Sequence, residues 1–323
     1  MIRLLALLCL LMAQPALGQT APEAYPARPI RMIVPFAAGG SADLVARIAA
    51  QGMSEKLGQT IAVENRGGSG GVIGSEAVLA APADGYTIAF HSMSSAVLNA
   101  GLYRNLSFDV RRAFIPVSLV GSVPNIVLIN PRLPAANLAE FIALIRANPG
   151  KYTYASSGAA GSQHVLTALF LARANVDALH IPYQGSGPAM AAVLGGQVHF
   201  AIETLAASGT LIREGKLKAY GSTSGRRSRL APDIPPLAEA ADMPGYDYTG
   251  WIGLMAPAAT PPAIIAQIAS AVEQIAAQPD THERLTNIGT EAFFAGPDAF
   301  RQVLAEYRTN FEAVIRQLGI RAE

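Results

Sequence analysis

The chain has 323 residues, 24 Lys and Arg against 23 Asp and Glu, a formal charge of +1, and 51% hydrophobic residues. Balanced charge gives no support to nucleic-acid binding, which relies on clustered basic charge, and the length favours two domains over one. The single cysteine, Cys9, lies in an apolar N-terminal run, so a chain processed beyond it has neither disulfide nor thiol chemistry.

Residues 1–18 read as an export signal. Arg3 supplies a basic start, and residues 4–12 are apolar but too short to span a bilayer. Ala16-Leu17-Gly18 then fits the small-x-small cleavage rule. Processing there removes Arg3 and leaves a chain of balanced charge. No later segment has the length and apolarity of a membrane span. The expected product is exported and not embedded in a membrane.

After a Pro-rich lead (Tyr25 to Pro29), strands and helices alternate. Strand is expected at 31–35, helix at 42–57, strand at 60–65, a glycine loop at 66–71, helix at 72–81 and strand at 86–91. Residues 115–129 read as two short strands around 121–124. Asn137 and Glu140 form a capping box for a helix that stops at Asn148-Pro149-Gly150. Strands at 152–155, 178–182, 198–203 and 217–222 then alternate with helices at 163–173, 188–194 and 205–213. The tail changes character, with an extended run at 246–256 and helices at 262–277, 281–288 and 298–318. Pro262 and Pro297 sit where the first helical turn tolerates proline. This alternation predicts an α/β fold with mostly parallel sheets. The basic run at 225–229 reads as a solvated loop.

Two stretches share one design, 33–49 and 152–172. Each passes from a strand through a loop of Ala, Gly and Ser into a helix, and neither loop holds Lys, Arg or a metal ligand. Small residues let backbone N–H groups approach a ligand, and a helix start offers unpaired donors and partial positive charge. Both corners lie at carboxyl ends of strands, where open α/β sheets bind ligands. Asn65 and Ser92 also end strands and are candidates to line the same cleft. Ser41 reads as an N-cap. Asp43 fits a helix-dipole role paired with Arg47 as well as a ligand role.

Rival chemistries find less support. Residues 67–71 match the G-x-S-x-G pattern around Ser69, but four of the five are glycine, and a hydrolase needs a late histidine and acid. His282 is the only histidine after His199. Neither corner carries a nucleotide-binding fingerprint. The five histidines (His91, His164, His180, His199, His282) show no metal-ligand spacing, so no cofactor or metal is expected.

The chain resembles the substrate-binding receptors of tripartite tricarboxylate transporters, the Bug receptors. The resemblance is carried by YPARPIRMIVPFAAGGSAD, VENRGGSGGVIGSEAV, PADGYTIAF, YASSGAAGSQH, IPYQGSGPAMAAVLGGQV, GKLKAYGSTSGRRS, PGYDYTGWIGLMAPAATPP and RLTNIGTEAFFAGP, in this order. It implies a two-domain periplasmic-binding-protein (Venus-flytrap) fold with helices on both sheet faces and crossing hinge strands. Residues 25–121 with 250–323 would form one domain and 122–249 the other, closing on a small organic acid. It also implies a periplasmic location and no catalysis. The receptor would be a monomer that docks transiently on a membrane transporter, or alternatively on a sensor protein. Carried over residue by residue, Ala38, Gly39, Gly40 and Ser41 match the first ligand loop, with Asp43 after it. Ser156, Ser157, Gly161 and Ser162 match the second, followed by His164, which is equally readable as a cap or core residue. Tyr183 is a candidate cleft wall. Two departures stand out: Gln184 replaces a usual basic residue, and Glu203 with Thr204 ends a strand where an aspartate or small polar residue is usual. A carboxylate at Glu203 accepts hydrogen bonds from an amine, amide or hydroxyl and repels a second carboxylate, so the expected ligand is not a plain dicarboxylate. Alternation along the strand leaves open whether Glu203 faces the cleft.

Overall fold

The computed structural model describes residues 24–320 except 104, 105, 160 and 184. The expected export signal and Gln184 lie outside the described residues. The strands are β1 (Ile30–Val34), β2 (Ile61–Asn65), β3 (Thr87–Ser92), β4 (Phe114–Val123), β5 (Asn125–Ile129) and β6 (Thr153–Ser156). They continue with β7 (Leu179–Pro182), β8 (Phe200–Thr204), β9 (Lys218–Ser222), β10 (Gly250–Pro257) and β11 (Glu291–Ala295). The main helices are α1 (Ser41–Leu57), α2 (Val72–Leu79), α3 (Leu138–Arg146), α4 (Ser162–Ala174) and α5 (Ser186–Gly195). After them come α6 (Leu205–Arg213), α7 (Pro262–Ala276), α8 (Pro279–Asn287) and α9 (Pro297–Leu318).

The strands form two sheets, ordered β11-β4-β10-β3-β1-β2 and β7-β6-β8-β5-β9. In β1, Ile30, Met32, Ile33 and Val34 are all fully buried, because helices cover both faces and an unbroken apolar run is required. In α7, Ile265, Ile268, Val272 and Ile275 repeat at helical spacing and bury one stripe, and α7 packs on α1. Asn137 caps α3 as expected: its side chain accepts from Glu140 N, while Glu140 reaches back to Ala136 N.

The sheets are mixed rather than mostly parallel. Pairs β1–β2, β1–β3, β6–β7 and β6–β8 are parallel, whereas every pair involving β4, β5 or β10 is antiparallel. The parallel pairs come from strand–helix–strand crossovers. The antiparallel ones come from strands that carry the chain from one sheet to the other and back. Only Pro124 separates β4 from β5, and the return strand β10 begins at Gly250, which partners Val123. Residues 115–123 are not a short strand, since β4 runs through Gly121. A Cβ there would lie 2.5 Å from Thr290 Cγ2, so glycine allows the close approach of the segment entering β11.

One apolar cluster fills the space between the first sheet, α1 and α7. A second lies between the other sheet and α5. The largest spans both halves and includes Trp251, Tyr246, Tyr248 and, on α9, Phe300, Leu304, Phe311 and Ile315. It backs the crossing strands and leaves the strand ends at the two corners facing a common space.

Candidate ligand-binding site

Both corners fold into the same local structure. The N-caps are Gly40 (φ −77°, ψ 166°) for α1 and Gly161 (φ −69°, ψ 168°) for α4, and neither N-terminus receives a side-chain cap. Ser41 is therefore the first helical residue rather than the cap. With glycine at the cap, the first-turn N–H groups are left for whatever enters the space in front. The two starts open onto one cavity of about 440 Å³.

The cavity brings together Gly40, Ser41, Ser92, Ser157, Gly161, Ser162 and Glu203 of the expected residues. It does not bring in Ala38, Gly39, Asp43, Asn65, Ser156, His164 or Tyr183. Ala38 and Gly39 form the exposed tip of the first turn, with Gly39 at φ +81°. Asp43 is buried behind it. Its carboxylate accepts from Gly39 N at 2.8 Å and from Arg47 Nε at 3.1 Å, with a second Arg47 nitrogen 2.9 Å from the other oxygen. Burial alone would raise the Asp43 carboxyl, but the bonds from Arg47, Gly39 N–H and Asn65 outweigh it and hold the group below its ordinary range. Asn65 accepts from Arg47 at 3.1 Å and donates to Phe36 O at 3.2 Å. Asp43 and Asn65 thus fix the loop from behind instead of touching the cavity.

The second corner has the same two layers. Ser156 Oγ donates to Gly158 O at 2.8 Å and lies 2.6 Å from His180 Nε2, which props the loop from below. The His164 ring stacks on His180 at 3.8 Å between centroids, and His180 stacks on Tyr154 at 4.9 Å. Burial, with the neighbouring His164, pushes His180 down to about 4, and burial lowers His164 too. Tyr183 packs against the cluster around α5 instead of forming a cleft wall.

Facing the cavity is a polar chain that runs from two half-buried serines to a buried glutamate. Ser157 Oγ and Ser162 Oγ both donate to Gln163 Oε1, at 2.8 and 3.1 Å. Gln163 Nε2 donates to Glu203 Oε1 at 3.1 Å, and Thr204 N donates to the same oxygen at 2.7 Å. Glu203 faces inward and is 1% exposed. Burial raises its proton affinity above the ordinary carboxylate range, against the pull of bonds from Thr204, Ser186 and Gln163.

Sequence reasoning missed Asn99, Tyr103, Asn125, Gln163, Ser186 and Trp251, which also line the cavity. Asn125 carried a signal, being an amide directly after the proline that joins two apolar strands. Asn99 and Tyr103 did not, because a helical excursion over residues 94–102 brings them in. No Lys or Arg is among the described lining residues. Ser69 is exposed, and no histidine hydrogen-bonds to it among the described residues. The described residues hold no cluster of metal-ligating side chains and no helix long and apolar enough to cross a membrane.

Two mixed α/β lobes, joined by crossing strands around a cleft, define a ligand receptor of the periplasmic-binding-protein class. Residues 45–320 match the family described as tripartite tricarboxylate transporter family receptor, and the chain belongs to that family. It is 38% identical to the protein BugT of Bordetella pertussis over 324 residues, covering 99% of this chain and 98% of BugT. Among solved structures it is similar to Rpa4515 of Rhodopseudomonas palustris with adipate (TM-score 0.83, 30% identity, 92% of this chain and 99% of that one). It is also similar to MatC of the same organism with bound malate (TM-score 0.79, 31% identity, 90% of this chain and 100% of that one).

Proposed function

We propose that the protein is a periplasmic receptor that binds a small organic acid and presents it to a tripartite tricarboxylate-type membrane transporter, without catalysing a reaction on it. The observation that carries this reading is the meeting of two uncapped helix starts on one cavity with no Lys or Arg among its described lining residues. Backbone donors there can hold a carboxylate, and the similar structures with adipate and malate support a small organic acid as the ligand class. The proposed contacts are the N–H groups that open α1, with Ser41, Ser92, Ser157, Gly161, Ser162 and Glu203. The proposed lobes are residues 25–121 with 250–323, and residues 122–249, working as a monomer.

The energetics suit a receptor that must also release its cargo. Charge-assisted bonds are worth about 1.5–3 kcal/mol each. Three or four of them, less ordering costs, give about the 8 kcal/mol of micromolar affinity. A thermal-shift screen of the processed protein against small carboxylates tests the reading. The unfolding temperature is expected to rise with the concentration of at least one organic acid. No shift with any of them overturns the assignment of a carboxylate ligand.

A further inference from the structure

We propose that the ligand ends, opposite its carboxylate, in a carboxamide, and that Glu203 and Gln163 select that group over a second carboxylate. The inference rests on the receptor reading above and adds the ligand's chemical class. It follows from counting the hydrogen-bond capacity left over at the second corner.

A serine hydroxyl has one proton to donate. Those of Ser157 and Ser162 are both spent on Gln163 Oε1. Gln163 is held in that orientation because its amide nitrogen donates to Glu203, which fixes the oxygen toward the serines. The hydroxyls therefore face the cavity with lone pairs and no proton. Glu203 adds a fully buried carboxylate that takes donors from Thr204 N, Gln163 and Ser186. The serine oxygens and an ionised Glu203 offer an incoming group acceptor capacity, with the second N–H of Gln163 left over as a donor.

The backbone contributes the opposite sign. The α4 start has no side-chain cap, so its first-turn N–H groups are donors beside those acceptors. A carboxylate brings only acceptors, which the serine oxygens cannot answer and an ionised Glu203 repels as a like charge. An ammonium brings only donors and would leave the helix start unanswered. A carboxamide brings both, with its oxygen toward the α4 amides and its NH₂ toward Glu203 and the serine oxygens. The first corner differs. Its acid, Asp43, is committed to Gly39 N and Arg47 behind the loop, so no carboxylate faces the cavity there and the N–H groups that open α1 are free to hold one.

The test is calorimetric titration of the processed chain with succinate, glutarate and adipate and with the monoamide of each. At the best-fitting chain length the monoamide is expected to bind at least about tenfold more tightly than its parent dicarboxylate. Glu203→Gln, nearly isosteric but neutral and carrying an NH₂, is expected to abolish or invert that preference. Equal or tighter binding of the dicarboxylate by the unaltered protein overturns the inference while leaving the receptor reading intact. So does an unchanged preference in a folded Glu203→Gln protein. Should that variant not fold, the comparison in the unaltered protein decides alone. If none of the six compounds binds while other organic acids shift the unfolding temperature, the carboxamide assignment fails. If no organic acid does either, the receptor reading fails with it.

Discussion

Asp43 and Glu203 are both buried carboxylates, yet their surroundings move them in opposite directions. Asp43 has a guanidinium and a backbone N–H against it and sits below its ordinary range, whereas Glu203 has neutral donors only and sits above it. Sequence alone showed an acid near each corner but not which one faced the cavity, because that depends on where neighbouring chains place their donors. A third buried group sets the response to acid. His91 is fully buried on β3, bonded to Ser95 at 2.8 Å, and burial pushes it down to about 4. Its folded value lies below its unfolded value of about 6.5. The unfolded chain therefore binds the proton first as pH falls, so stability is full above about pH 6.5 and declines toward pH 4. The loss from His91 is up to about 3 kcal/mol. His180 contributes with the same sign. Denaturant unfolding followed from pH 7 to pH 4 should show this decline, and His91→Gln should flatten it. A profile unchanged by the substitution counts against His91 as its source.

At the scale of elements, the two strand–loop–helix corners were legible because small loop residues followed by an amphipathic run are a local signal. The cap assignment was not. Ser41 is a good N-cap by residue type, but the turn closes one residue earlier, at Gly40. The polarity of the sheets was also hidden, since a βαβ rhythm predicts parallel pairing and gives no sign of strands that leave one sheet for another. β11 was missed as a strand because its residues are half-buried or exposed at a sheet edge and carry little pattern. The crossing strands impose a specific demand at Gly253 of β10. A Cβ there would lie 2.6 Å from Ser118 O and 3.1 Å from Leu119 Cα, both backbone atoms of β4 that cannot swing aside. Gly253→Ala is expected to destabilise the protein by about 1–3 kcal/mol, read from the midpoint of denaturant unfolding. An unchanged midpoint would show that β10 and β4 separate more easily than their packing implies.

Across the whole molecule, the crossing strands are both floor of the cavity and link between the sheets, and the only tryptophan stands on them. Trp251 is 2% exposed, packs edge-on against Phe300 of α9, and borders the ligand cavity on one side and a second cavity on the other. On the proposed receptor function, lobe closure on a ligand changes its surroundings. Tryptophan emission is expected to shift as a bound organic acid is titrated in, and Trp251→Phe should lose the signal while calorimetry still detects binding. Emission that stays constant through a calorimetric titration would mean that binding leaves the crossing strands unmoved. The strand–helix alternation, the two Gly/Ser/Ala strand–loop–helix corners and the family were determined by the sequence, because propensity, helix starts and small-residue loops are local properties of the chain. The opposition of the corners, the retreat of Asp43, Asn65 and His164 behind them, and the inward turn of Glu203 onto Gln163 were decided only by the tertiary structure. Each depends on contacts between residues tens of positions apart, and no local pattern encodes which face of a strand end or helix start another segment will cover.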